Sequence, residues 1–166
     1  MSKALFVSLV SGSVVILDQL TKWMVRNELP MHDGLAVIPG FFSIIHAANP
    51  GGAFSLFADA HDGIRLPFFF AAAACALAFL IYFVRQVPND QRLLIFALAS
   101  VLGGALGNLI DRVLYGQVTD FLLVYYNGWM WPAFNVADSF ISIGVTILVA
   151  HSIFGRELDE PRPAAG

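Results

Sequence analysis

Apolar residues in this chain gather in four long runs, at residues 4–23, 66–84, 93–114 and 133–154, with most of the charged residues in the stretches between and after them. A helix crosses a hydrocarbon core of about 30 Å with roughly 20 predominantly apolar residues. Each run has that length, so four transmembrane helices are predicted. A short polar turn, Arg85-Gln86-Val87-Pro88-Asn89-Asp90-Gln91-Arg92, joins the second to the third. Residues 155–166 are charged and proline-rich, the composition of a disordered tail, which leaves residues 1–154 as one domain.

The other two connections change periodicity. Within the first, residues 35–45 (LAVIPGFFSII) are rich in β-branched and aromatic side chains around Pro39-Gly40, the pattern of a hairpin. Residues 119–131 (TDFLLVYYNGWMW) also read as strand, with Asn127-Gly128 as a turn signal. Open sheet edges are not tolerated in hydrocarbon, which places this small sheet at the membrane interface. Phe41, Phe42, Tyr125, Tyr126, Trp129 and Trp131 suit the headgroup zone. The predicted fold is therefore an all-α membrane core of four transmembrane helices, with a small β-sheet cradle and a short helix or loop at the outer face.

Composition agrees. The 166 residues are 58% hydrophobic and 13% charged, with mean hydropathy +0.73, whereas a soluble domain is about a quarter charged. The net charge of -3 argues against nucleic acid as a partner. One cysteine, Cys75, lies inside an apolar run, so no internal disulfide, CxxC pair or thiolate metal site is expected. Lys3 and the apolar run after it resemble a secretory signal, but no small-x-small cleavage site follows, and the run reads as a retained first span.

Four spans put both termini on one side, with Lys3, Arg85, Arg92, Arg156 and Arg162; Lys22, Arg26, Arg65 and Arg112 fall on the other. The positive-inside rule favours cytoplasmic termini, and the Arg85/Arg92 turn carries most of that inference. Asp18, Lys22, Asn108, Asp111, Arg112, Asp120, Asn135 and Asp138 then converge on the outer end.

An ionisable residue within a membrane is a functional hypothesis by default. Asp120 and Asp138 border apolar runs on either side of one predicted hairpin, and two close carboxyls retain one proton between them. Such a pair activates water without a metal or other cofactor. In the third span, Gly104, Asn108 and Asp111 share a helical face, and Gly103 and Gly107 form a GxxxG pair for close helix approach. Asn135 competes as a helix cap, whereas Asp138 lies deeper in a span that begins at residue 133. Asp18 and Lys22 are spaced for an i, i+4 ion pair. The chain contains no HExxH, GxSxG or P-loop motif, and His32, His46, His61 and His151 are scattered.

Taken together, Asp18-Gln19-Leu20-Thr21-Lys22, Asn49-Pro50-Gly51-Gly52-Ala53-Phe54, Gly107-Asn108-Leu109-Ile110-Asp111-Arg112, Val118-Thr119-Asp120-Phe121 and Phe134-Asn135-Val136-Ala137-Asp138-Ser139 resemble the bacterial lipoprotein signal peptidase (type II signal peptidase) family. The resemblance implies an inner-membrane aspartic endopeptidase that cuts diacylglyceryl-modified prolipoproteins just before the lipidated cysteine. It implies Asp120 and Asp138 as the catalytic pair, with Asn49, Gly51, Asn108, Arg112 and Asn135 binding or orienting substrate. Asp18, Lys22 and Asp111 would support the site. The implied partners are prolipoproteins, membrane lipid and peptidic inhibitors such as globomycin, and the implied state is a monomer. Gly52 and Thr119 depart from the family's common alanine and aliphatic residue. Two other readings stay open: a proton- or ion-coupled transporter, which would string acids through the bilayer depth, and a scaffold built on glycine packing.

Overall fold

The computed structural model describes residues 1–51 and 61–158. Gly52-Ala53-Phe54, the short helix or loop expected near them, and residues 159–166 of the expected tail lie outside the described residues. The elements in chain order are α1 (Lys3–Glu28), β1 (Gly34–Ile38), β2 (Phe42–Asn49), α2 (Asp62–Gln86), α3 (Arg92–Tyr115), β3 (Val118–Tyr126), β4 (Trp129–Met130) and α4 (Val136–Leu158). Within them, Lys3–Glu28, Leu66–Gln86, Arg92–Tyr115 and Val136–Phe154 are long and apolar enough to cross a membrane.

Two boundaries differ from the sequence expectation. Helix α1 continues past Trp23 to Glu28, and the Leu29 amide closes it on the Val25 carbonyl at 3.0 Å. Its last turns are amphipathic, so a criterion of unbroken apolar length stops short of the true end. Helix α4 begins at Val136 rather than residue 133. Phe134, two residues after Pro132, is held in extended form by an exchange of hydrogen bonds with Leu122 (3.1 and 2.8 Å). The other end of α4 reaches Leu158, into the segment read as tail.

Helix α3 is the centre of the bundle, with Ile95, Ala97, Leu98 and Ala99 buried. Glycines decide how closely its neighbours approach. A Cβ on Gly103 would fall 2.8 Å from the Ser11 carbonyl oxygen of α1, and one on Gly144 of α4 would fall 2.6 Å from that of Ala97. Backbone therefore rests on backbone, the arrangement small residues permit between membrane helices. Gly104 faces Ala137 and Ile141 of α4. By contrast α2 is peripheral: Leu80 is buried while Phe68, Phe79, Ile81 and Tyr82 are exposed, a surface suited to lipid.

The strands form one antiparallel sheet in the order β1-β2-β3-β4. The β1–β2 hairpin turns through Pro39-Gly40-Phe41, with Gly40 at φ 79°. The β3–β4 hairpin turns through Asn127-Gly128, both at positive φ (48° and 82°) between paired Tyr126 and Trp129. That is the type I′ geometry for which Asn-Gly is selected.

Candidate active site

Asp120 is set by the turn out of α3. Gly116 adopts the left-handed conformation (φ 70°) and its amide caps Arg112 at 3.1 Å, ending the helix where a Cβ would be strained. The chain then reverses into β3, and the Thr119 amide donates to Asp111 Oδ2 on the helix it has just left, at 2.9 Å. Pairing with β2 sets Asp120 opposite Ala47 and Val118 opposite Asn49. From there Asn49 Nδ2 donates to Asp120 Oδ2 at 2.9 Å, while its own oxygen accepts the Gly51 amide at 3.0 Å.

Asp138 is set by the start of α4. Asn135 Oδ1 accepts the Asp138 amide at 2.9 Å, and Asp138 Oδ2 accepts the Asn135 amide at 3.3 Å. This reciprocal cap is a capping box with Asn and Asp in the two roles. Asp138 is thus the third residue of α4, in its first turn, and not the deeper position expected when the span was started at residue 133. The cap leaves the Asn135 amide nitrogen free to face Asp120 Oδ1, at 2.7 Å. One side chain therefore touches both aspartates.

Helix α3 supplies the third amide. Asn108 Nδ2 donates to Asp138 Oδ1 at 2.8 Å, and its oxygen accepts from Lys22 Nζ at 2.9 Å and Asn135 Nδ2 at 3.2 Å. One turn on, Arg112 donates to the Gly51 carbonyl at 3.1 Å and stacks its guanidinium 4.6 Å from the Phe69 ring centre.

Behind these groups lies a charge cluster. Asp18, Lys22 and Asp111 are fully buried (0% exposed), and Lys22 Nζ lies 2.8 Å from Asp18 and 3.3 Å from Asp111. Asp18 also accepts the Ala137 amide at 2.9 Å, satisfying a free N–H in the first turn of α4. Arg26 reaches Asp111 at 3.5 Å, so the two buried acids face two bases. Buried charges persist only when paired and hydrogen-bonded in this way.

Asn49, Asn108, Arg112, Asp120 and Asp138 line one cavity of about 680 Å³, with Trp131 and Phe134 among its apolar walls. Burial pushes the Asp120 carboxyl up to about 6, against the Asn49 and Asn135 donors that favour its ionised form; the Asp138 charge pushes in the same direction as burial. A carboxyl poised there is suited to exchange protons near neutrality. Among the described residues, no group of three or more His, Cys, Asp or Glu side chains is arranged to hold a metal ion.

Three participants were not singled out by sequence reasoning. Gln19 Nε2 bridges the Gly107 carbonyl and Asp111 Oδ1, both at 3.0 Å, and reaches Asp18 at 3.2 Å. Arg26 donates to Thr119 Oγ1 at 3.0 Å and stacks 4.5 Å over Tyr115. Thr119, noted only as a departure, thus accepts from Arg26 through its side chain. The signal was present: Asp18, Lys22 and Arg26 repeat every four residues, a polar stripe visible once α1 is allowed to continue to Glu28.

The profile of the family described as Signal peptidase (SPase) II matches residues 10–154. A lipoprotein signal peptidase of Desulforapulum autotrophicum is 43% identical over 151 residues, covering 91% of this chain and 93% of the relative. Another, of Geobacter sulfurreducens, is 46% identical over 149 residues, covering 90% and 91%. Two solved structures, each described as a bacterial membrane enzyme obtained by the in meso method, superpose with TM-scores of 0.82 and 0.80. They are 31% and 33% identical; the first alignment covers 96% of this chain and 94% of its counterpart, the second 89% and 92%. With a matching profile over most of its length and relatives 43% and 46% identical, this multi-pass membrane protein belongs to the signal peptidase II family.

Proposed function

We propose that the protein is an aspartic endopeptidase that removes signal peptides from diacylglyceryl-modified prolipoproteins, cutting on the N-terminal side of the lipidated cysteine. The observation that carries this reading is that Asp120 and Asp138 line one cavity and are bridged behind it by the buried Asn135 side chain. With one proton on the pair, the ionised carboxylate takes a proton from water, whose oxygen attacks the scissile carbonyl carbon. The protonated carboxyl donates to the carbonyl oxygen. Collapse of the tetrahedral species breaks the C–N bond as one carboxyl proton passes to the leaving amine and a hydroxyl proton of that species returns to the other carboxylate, restoring the singly protonated pair.

In this reading Asn49, Asn108 and Asn135 hold the pair, and Gly51 and Arg112 orient the substrate backbone. Asp18, Lys22 and Asp111 support them from behind. Residues 1–154 act as a single, monomeric domain in the bacterial inner membrane. The termini are cytoplasmic, the catalytic cavity opens at the periplasmic face, and globomycin-type peptides compete for it. A transporter is disfavoured because Asp18, Asp111, Asp120 and Asp138 gather at one end of the bundle instead of spacing themselves through it.

The test is cleavage of a purified diacylated precursor. Asp120→Asn and Asp138→Asn should each abolish product while remaining folded, with identical circular dichroism spectra. Near wild-type cleavage by either variant overturns the assignment.

A further inference from the structure

At the opposite end of the bundle from the aspartates, a second cavity of about 280 Å³ lies between α1, α2 and α3. Its lining is graded with depth. Lys3 and Arg85 stand at the terminal end, Ser8 lies between one and two turns inward, and Val7, Ile81 and Leu102 form the apolar body. Leu102 is ten residues along α3 from Arg92, which is roughly 15 Å at the helical rise. A pocket that is cationic at the membrane surface and apolar below it matches an amphiphile with an anionic head.

The polar groups at its mouth are available. The Lys3 ammonium donates to the Arg85 and Val87 carbonyls (3.2 and 2.7 Å), neutralising the negative end of α2 that would otherwise repel an anion. The Arg85 guanidinium makes no hydrogen bond or ion pair among the described residues and is exposed. Ser8 differs from Ser11 and Thr21 on the same helix. Those two bond back to the carbonyls of Val7 and Leu17 at 2.8 Å, whereas the Ser8 hydroxyl has no partner among the described residues. It sits below the cationic mouth, at the height of a glycerol ester whose phosphate meets Arg85.

We propose that this groove binds an anionic glycerophospholipid, with its phosphodiester on Arg85 and Lys3, its glycerol near Ser8, and one acyl chain along Val7, Ile81 and Leu102. Cationic pockets between membrane helices favour such headgroups, and a groove facing hydrocarbon has an acyl chain as its ready occupant. The proposal does not depend on the peptidase reading. If the termini face the cytoplasm, the lipid belongs to the inner leaflet.

The test is native mass spectrometry of the full chain in detergent, titrated separately with phosphatidylglycerol and phosphatidylcholine. One phosphatidylglycerol adduct should persist at about tenfold lower lipid concentration than the phosphatidylcholine adduct. In Arg85→Gln that preference should fall below about threefold, with precursor cleavage unchanged. Leu102→Trp, or Ile81→Trp if the first does not fold, should weaken retention of both lipids by filling the groove. Equal retention of the two lipids by the wild type, or an undiminished preference in Arg85→Gln, overturns the proposal. So does displacement of the adduct by soluble glycerophosphoglycerol, which would mark a phosphate site without a chain groove.

Discussion

The ammonium of Lys22 lies 2.9 Å from the amide oxygen of Asn108, on the side of that residue facing away from Asp138. An ammonium only donates, so it fixes which end of the amide it meets and turns the NH2 toward Asp138 Oδ1. The other two asparagines are held by the same logic. A backbone N–H, from Gly51 or Asp138, occupies the oxygen of Asn49 or Asn135 and directs each NH2 to Asp120. Three amides that could flip are thereby locked as donors to carboxylates.

Replacing Lys22 with Met removes this lock and leaves Asp18 and Asp111 buried with one base fewer. Breaking a buried pair from one side costs about 3–5 kcal/mol. Thermal unfolding in detergent should show a loss of that order, with precursor cleavage falling at least as far as the fraction folded. A Lys22→Met variant of unchanged midpoint would show that the cluster is not held by this charge.

Asp120 yields a pH dependence of definite sign. Its folded-state carboxyl is raised to about 6 from an ordinary value of 3.8, so the folded protein holds the proton more tightly than the unfolded chain. Stability from this group is therefore fully present below about pH 4 and declines as pH rises through about 6, by roughly 2–3 kcal/mol in all. Asp120→Asn abolishes that decline. Its unfolding midpoint, measured against wild type, should improve between pH 4.5 and pH 8, whatever offset the amide introduces. Cleavage by the wild type should follow a bell-shaped profile with one limb near 6, and a flat profile would count against acid–base catalysis.

Gly107 and Gly12 form a matched pair for packing. A Cβ on Gly107 would fall 2.6 Å from Asp18 Oδ2, the oxygen that Lys22 Nζ meets at 2.8 Å, whereas one on Gly12 meets nothing within 4 Å. Gly107→Ala should destabilise by about 1–3 kcal/mol and depress cleavage. Gly12→Ala should be neutral or stabilising by up to about 1 kcal/mol. Equal effects of the two substitutions in one unfolding assay would contradict the placement of α1 against α3.

Thr119→Val keeps the shape of the side chain and removes the acceptor of Arg26. The loss of one charged hydrogen bond should cost roughly 1.5–3 kcal/mol at most, with Thr119→Ser restoring most of it. Cleavage should decline several-fold in the valine variant and recover in the serine variant, because Thr119 adjoins Asp120 in β3. Equal activity of both variants would mean Arg26 is satisfied by Asp111 and Tyr115 alone.

Much of this was legible in the residues, for identifiable reasons. Apolar run length located four spans because hydrocarbon leaves a helix few alternatives, and Asn127-Gly128 announced its turn through the positive φ both residues adopt. Asp120 and Asp138 stood out as acids where acids are costly. What run length could not register was amphipathic helix, so the end of α1 and Arg26 were passed over. Nor could it foresee that Phe134 would pair with Leu122, delaying α4 and turning Asp138 from a deeper residue into a first-turn one. The triple role of Asn135 was equally hidden. A capping preference belongs to local sequence, but contact with Asp120 and Asn108 depends on β3 and α3 arriving from elsewhere in the chain.

The donors that surround the two acids come from separate parts of the chain: Asn49 from β2, Asn108 from α3 and Asn135 from the threshold of α4. A nascent polypeptide whose last span is still leaving the insertion machinery has neither Asp138 nor the bridging amide in place. On the proposed reading, hydrolytic competence arrives only with the final helix, and a half-inserted molecule has no means of cutting its neighbours.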